Sequence, residues 1–425
     1  MEADVHGHGM EGGWSVWLEH RALAAVLVGL GVAALATVVG LVWLWPDGSG
    51  RDAAIAQADE IGLVTGRIEA TVESVTDTRC SYATEDNPQD CRTIVVVPDE
   101  GPDEGTLVAL GEVGLVPGSP VPDVAVGERI ILGYEPSTSF YFYADKERRR
   151  PLLWLAGLFA IVVVALGRLR GALALASMAL TLVVLIAFVA PSVLDGNDPV
   201  LVAVVASSAI AFTSLYLTHG FSPTTTVALA GTLGALGLTL GIAAVFFAAA
   251  DFTGLATEEG LTLPLVADNV NLSSLLLGGA VIGALGALDD VTVTQVATVA
   301  ELHRRRPDLR VTELITSGIR VGREHIASTV NTLLLAYAGA SMPLLMLFAV
   351  STQPLDVVAN SELIAVEIVR TLCGSIGLVA AVPLTTALAA AVMALRQELP
   401  GSERLEPIAA RPPDWDDFAP RDERW

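Results

Sequence analysis

Positive charge is scarce in this 425-residue sequence: 24 Lys and Arg stand against 47 Asp and Glu, for a formal net charge of −23 at pH 7. Nucleic-acid binding needs a basic footprint, so that class is excluded. Cysteine and histidine are also few, three and six. The histidines are scattered, so they offer no zinc centre with the usual ligand spacing. Neither a Walker loop, a GxSxG elbow nor a Cys/His dyad occurs, which removes ATP-driven transport within the chain. No metal and no cofactor are expected, and the chain is not expected to be an enzyme.

What is abundant is apolar. Hydrophobic residues make up 52% and charged residues 17%, and mean hydropathy is +0.59. Several apolar runs exceed the roughly 18 residues that mark a membrane span, so the expected fold is an α-helical polytopic membrane protein. Residues 1–21 read as a flexible cytoplasmic N-terminus in which His6 and His8 do not amount to a metal site. Residues 22–45 form an apolar anchor ended by Pro46, with Trp43 and Trp45 at the level of the interfacial aromatic belt. It is too long for a signal-peptide core and lacks a small-residue cleavage site.

Residues 46–150 read as an inserted all-β domain. Ile68, Ala70 and Val72 alternate with Glu69, Thr71 and Glu73, the period-two pattern of a half-buried strand. Further strands are expected at 93–97, 106–110, 129–134 and 140–143, between turns rich in Gly, Pro and Asp. Five or six short strands in about 100 residues suggest a small OB-like barrel. With 20 Asp/Glu against 9 Lys/Arg over 47–150, it is not a nucleic-acid-binding one. Cys80 and Cys91 in this segment are expected to form a disulfide, which requires an oxidising compartment.

Residues 151–397 then carry seven further spans, near 151–167, 171–190, 199–218, 225–250, 272–289, 326–350 and 368–395, which makes about eight transmembrane helices with the anchor. The hairpin at 167–170 holds two arginines, and the loop with Arg304, Arg305, Arg306, Arg310, Arg320 and Arg323 holds six; the loops 191–198, 251–270 and 351–361 hold none. Positive charge collects on the cytoplasmic side, so both termini are expected there and the β domain outside, in the cell membrane. Residues 398–425 have no apolar periodicity and read as a disordered cytoplasmic tail.

One stretch stands apart. From Asn271 to His303 neither Pro nor a turn signal interrupts a helical reading, yet the helix changes from apolar to polar at Asp289-Asp290. Carboxylates at membrane depth are costly and mark ion or substrate pathways. Helical spacing puts Asp290, Thr294, Thr298 and Glu301 on one stripe with Gln295 and Asp289 beside it. Gly279/Gly283 and Gly283/Ala287 offer close approach to neighbouring helices. Asn331 and the Arg320/Arg323 region are expected to face the acids, Glu367 and Arg370 to form an outer gate pair, and His219 to sit at a cytoplasmic helix end. An intramembrane aspartyl protease would need carboxylates on different helices that share a proton. Neighbours on one helix diverge by about 100° and cannot.

Tyr216-Leu-Thr-His-Gly220 with Thr224-Thr-Thr-Val-Ala228, Gly283-Ala-Leu-Gly-Ala-Leu-Asp-Asp-Val-Thr-Val-Thr-Gln295, Gly322-Arg-Glu-His325 with Asn331-Thr-Leu333, Arg370-Thr-Leu372 with Gly374-Ser-Ile-Gly377, and Pro383-Leu-Thr-Thr386 together resemble the YibE/F-like family of bacterial membrane proteins. The Asp289–Gln295 version is similar to the actinobacterial branch. The resemblance implies a multi-pass plasma-membrane protein with an outward β domain and a permease-like architecture. The leading expectation is a secondary transporter or exporter of an unknown small molecule or ion. The alternative is a non-transporting membrane scaffold or envelope-assembly partner whose β domain binds another protein while the helices anchor and dimerise.

Overall fold

The computed structural model describes residues 21–61, 63, 66–84, 88–115, 123–136, 138–350 and 352–397; the expected N-terminal segment with His6 and His8, and the expected tail from 398, lie outside the described residues. Helix α1 (Arg21–Trp43) leads through Gly48, left-handed at φ 86°, into a short helix α2 (Ser49–Glu60) that the sequence reading did not anticipate. The strands β1 (Gly66–Arg79), β2 (Asp90–Pro98), β3 (Val108–Ala109), β4 (Val113–Gly114), β5 (Arg129–Glu135) and β6 (Phe140–Lys146) follow.

All strand pairs are antiparallel, in the order β3-β2-β1-β5-β6 with β4 also on β2. The 14-residue β1 serves two partners: Gly66–Thr71 pairs with β5, and Ala70–Arg79 pairs with β2 with an irregularity between Val72 and Ser74. Extra residues in one strand bend it, which lets one strand join two stretches of sheet. Ile68, Ala70 and Val72 point inward, as the alternation predicts, against Ile94, Val96, Ile130 and Leu132. Among the described ladders, β3 and β6 remain at opposite ends of the path rather than closing on each other, so an OB-like barrel is not established. Cys80 and Cys91 form the expected disulfide, tying the end of β1 to the start of β2.

The helices that follow are α3 (Arg149–Val184), which runs through a π turn at Leu185–Val189 into α4 (Ala190–Leu194), then α5 (Pro199–His219), α6 (Pro223–Ala250), α7 (Glu258–Val266), α8 (Leu272–Arg305), α9 (Val311–Ala340), α10 (Met342–Ala349), α11 (Leu355–Ala359) and α12 (Glu362–Gln397). Among the described residues six helices are long and apolar enough to cross a membrane, one of them spanning Arg149–Leu194. That one is broken at Arg168 (φ 52°, ψ −130°). A Cβ built on Gly171 would lie 3.3 Å from Val163 Cγ1. Residues eight apart on a straight helix are ~12 Å apart, so the chain turns back here, at the expected hairpin. The stretch expected to span near 326–350 is divided at Ser341 between α9 and α10, beside Pro343.

Helix α8 is uninterrupted from Leu272 to Arg305, as expected, and its start is capped by Asn271, whose Oδ1 accepts from Ser274 N at 2.9 Å. It packs with α6 and α12 as the innermost three helices of the bundle. Lipid is as apolar as leucine, so such a bundle coheres through close fit and polar contacts. Glycines supply the fit: a Cβ on Gly234 of α6 would come 3.2 Å from Leu384, and one on Gly278 of α8 would come 2.9 Å from the Pro199 carbonyl oxygen.

One end of the bundle is laced by polar contacts that also hold the head of α2. Ser192 Oγ donates to the Leu44 carbonyl, Asn269 Nδ2 donates to the Leu194 carbonyl, and Glu362 accepts from the backbone of Thr253 and Gly254. The Asp195 carboxylate accepts from three backbone donors at the head of α2: Asp47 N at 2.8 Å, Gly48 N at 3.1 Å and Gly50 N at 2.8 Å. A carboxylate on a helix N-terminus satisfies orphan N–H groups and meets the positive end of the dipole.

Two outcomes follow. Asp195→Ala removes charge-assisted bonds worth together about 2–3 kcal/mol, so trypsin cuts after Arg51 faster in the full-length variant than in the parent; equal protection of the two would refute the latch. In the β domain, burial first and the Asp103 carboxylate second push the Tyr141 phenol up to about 12. Folding therefore favours the protonated phenol, and the stability it lends is complete below the unfolded value near 10 and is lost as pH rises toward 12. Thermal melts between pH 8 and 11 should show a steeper alkaline decline for the parent than for Tyr141→Phe.

Candidate functional site

The acid pair lies on α8 where three helices leave a gap. A cleft of about 490 Å³ opens between the second arm of α3, α5 and α8. Arg170, Ser177 and Thr181 line it from α3; Ser214, Thr218 and His219 from α5; Gly286, Asp289 and Asp290 from α8. A second cleft of about 350 Å³ shares His219 and Val293 with the first and continues past Ser222, Thr224 and Thr225 to Glu301 and Arg304. Together they trace the open side of α8 toward its C-terminal end.

Sequence decides which side of α8 is open. Leu285, Leu288, Val291, Thr292, Gln295, Val296 and Val299 are buried, at the spacing of one helical face. Gly279, Gly283, Gly286, Asp290 and Thr294 lie on the exposed side. A Cβ on Gly279 or Gly286 would meet nothing within 4 Å, and one on Gly283 would meet only the Tyr337 hydroxyl, at 3.7 Å. The expected small-residue pairs Gly279/Gly283 and Gly283/Ala287 therefore do not mediate the tight helix contact, which falls to Gly278. The glycines leave room beside the acids.

Asp289 turns toward the bundle. Its Oδ1 is shielded from solvent and makes no direct hydrogen bond among the described residues, while the Ser214 hydroxyl of α5 neighbours the carboxylate. Asp290 is exposed, with His325 Nε2 of α9 4.0 Å from its Oδ2. The hydroxyls around them are ordered by their own helices: Thr181 donates to the Ser177 carbonyl and Thr218 to the Ser214 carbonyl, while Thr218 Oγ1 also lies 2.7 Å from His219 Nδ1. The cleft thus holds two carboxylates, a guanidinium, an imidazole and four hydroxyl side chains, a set suited to a small polar or charged solute.

Other expected residues go elsewhere. Thr294 and Thr298 turn their hydroxyls onto the carbonyls of Asp290 and Thr294, so the stripe is satisfied along its own helix. Glu301 is held by Arg304 and Arg305 one turn on. Glu367 and Arg370 form the expected i,i+3 pair, at 2.8 Å, on the part of α12 nearest the β-domain end of the bundle. Arg320, Arg323 and Asn331 do not face the acids. All three are on the exposed side of α9, and neither arginine makes an ion pair among the described residues. The rotation of α9 causes this: it packs through Gly318 and Gly322, which turns those side chains outward.

Gln295 is the correction that matters most. It was expected beside the acids in a pathway, but it is 3% exposed and faces away from the cleft. Its Nε2 donates to the Gly318 carbonyl of α9 at 2.8 Å and to Thr386 Oγ1 of α12 at 2.6 Å. Thr386 in turn donates to the Val382 carbonyl at 2.6 Å. A Cβ on Gly322 would fall 2.5 Å from Val382 Cγ1 and 2.9 Å from Gln295 Oε1, so only glycine fits there. One amide thus joins three helices. A second bond of this kind, Thr232 to Thr292 at 2.6 Å, ties α6 to α8. Sequence reasoning overlooked Ser177, Thr181, Ser214 and Thr218, although each pair has the i,i+4 spacing that puts two hydroxyls on one helical face.

The description "YibE/F-like protein" fits residues 155–395, which hold every helix of this site. The chain belongs to the YibE/F-like family. It matches no curated protein and no solved structure. The family match covers the cleft and the Gln295 junction alike and leaves α1, α2 and the β domain outside it.

Gly322→Val places side-chain atoms where Val382 and Gln295 already sit and should cost about 1–3 kcal/mol. Gln295→Leu should cost about 1–2 kcal/mol in lost interhelical bonds. Thermal unfolding of the detergent-solubilised chain should therefore show a lower Tm for both and an unchanged Tm for Gly279→Ala. Equal values for Gly322→Val and Gly279→Ala would rule out the junction.

Proposed function

We propose that this YibE/F-like protein is a secondary, ion-coupled transporter or exporter, with the cleft beside Asp289 and Asp290 as its solute or coupling-ion site. The carrying observation is the unpartnered, shielded Oδ1 of Asp289 on the wall of a cleft of about 490 Å³. A carboxylate oxygen left without a partner at membrane depth is costly unless a proton, a cation or a solute completes it during the working cycle. Asp289 is the coupling group in this reading. Asp290, His325, Arg170 and the hydroxyls of Ser214 and Thr218 bind and orient, and Glu367 with Arg370 guards the opposite end.

The membrane arrangement is part of the proposal. Counting the arms of α3 on either side of Arg168 separately and adding α9 gives eight crossings. Arg168, Arg170 and the arginines of 304–323 fall at the end of the bundle away from the β domain, which supports cytoplasmic termini and an extracytoplasmic domain in the cell membrane. The Cys80–Cys91 bond agrees with that oxidising side. An actinobacterial origin fits the Asp289–Gln295 version of the motif.

A second reading, an envelope-assembly scaffold, draws on the Asp195 latch, which ties the helix that leads into the β domain to the bundle. Purified chain in sealed vesicles separates the two. With a pH-sensitive dye inside and a proton or sodium gradient imposed, the parent should dissipate the gradient, Asp289→Asn should do so at least about tenfold more slowly, and deletion of residues 66–146 should leave some flux. Equal rates for the parent and a folded Asp289→Asn would end the coupling role, and a parent indistinguishable from empty vesicles would favour the scaffold.

A further inference from the structure

We infer that the outward face of α9 is the contact between two copies of this chain, packed about a two-fold axis perpendicular to the membrane. This rests on the membrane placement of the bundle proposed above and not on transport.

Helix α9 lies at membrane depth. Gly318 packs against Thr386 and Gly322 against Val382, so four residues forward on α9 match four residues back on α12. Continuing that antiparallel register brings Asn331 and Thr332 level with Leu372 of α12. At this level α12 presents Leu372 and Ile376, 57% and 47% exposed, the bulky apolar surface that lipid wants. Helix α1 does the same with Val28, Val32 and Leu35. On α9 the bulky exposed residues Leu334 and Leu335 border a polar, small-residue stretch. Ser328, Thr332 and Ala336 make one exposed ridge at i,i+4 spacing, and Ala327 with Asn331 makes the next. Thr332 donates to the Ser328 carbonyl, but the Asn331 amide has no hydrogen bond among the described residues. An amide at this depth needs a partner helix, and small residues let one come close.

The face is complementary to itself, which selects a second copy as the occupant. An asparagine amide both donates and accepts, so two copies of Asn331 across a two-fold axis satisfy each other, as a single buried asparagine does in a parallel helix pair. At the arginine-rich end, Arg323 and Glu324 are adjacent and both exposed, with no ion pair among the described residues. A two-fold axis makes every contact reciprocal, so each Arg323 meets the other copy's Glu324. A helix of unrelated sequence would have to supply the same amide and the same alternation of charge.

The unmodified full-length chain in nanodiscs should have twice the 44.3 kDa protein mass by mass photometry. With Cys373→Ala to remove the free thiol, and the Cys80–Cys91 disulfide intact, Asn331→Cys should cross-link to a dimer on mild oxidation and Val32→Cys should not. Asn331→Leu should raise the dimer dissociation constant about tenfold. A monomer mass for the unmodified chain, equal cross-linking at positions 32 and 331, or a different protein bound to α9 in place of a second copy would each overturn the proposal. None of these readouts depends on flux, so loss of transport in the vesicle assay leaves it standing.

Discussion

A single amide holds the centre of this molecule. Gln295 reaches from α8 to the backbone of α9 and to the Thr386 hydroxyl of α12, in a region where hydrophobic force does not draw helices together. Its two donors are engaged, the helices cannot separate without stranding them, and the glycines at 318 and 322 are what let α9 come close enough. The rotation of α8 is fixed by this contact. With Gln295 turned inward, Asp290 five residues earlier must face outward and Asp289 must sit at the edge of the gap beside α5. The candidate cleft is the reverse side of a structural joint.

That division of labour explains what could be read from the sequence. The uninterrupted α8, the turn at Arg168, the strand alternation around Ile68 and the Cys80–Cys91 bond all follow from local rules: period, turn residues, apolar run length and cysteine placement. The family resemblance was legible too, and the family match spans residues 155–395. Helical rotation is not local. Spacing placed Asp290, Thr294 and Thr298 on one stripe correctly, yet whether that stripe faces a neighbour or the outside depends on which residues of α9 and α12 happen to fit. Arg320, Arg323 and Asn331 were expected opposite the acids for lack of that information, and Gln295 was assigned to chemistry when it belongs to packing. Helix α2 was missed for a different reason: its mean character is polar, and what fixes it is a carboxylate 145 residues further along the chain, Asp195.

The glycines carry the same lesson from the other side. Gly279 and Gly283 looked like a helix contact and instead border open space. Gly231, Gly318 and Gly322 were not read as helix contacts in the sequence, and side-chain atoms of α12 press on all three. A glycine in a membrane helix can admit a neighbour or keep one out, and only the arrangement of the surrounding helices distinguishes the two uses.

The grip of Asp195 on the head of α2 has a mechanical meaning. Asp195 stands at the tip of the second arm of α3, the same arm whose other end supplies Arg170, Ser177 and Thr181 to the cleft. The two ends of one rod therefore touch the acid-lined gap and the head of α2. Any tilt of that arm therefore moves α2 with it like the needle of a gauge, so the shape of the gap is legible at the opposite end of the bundle.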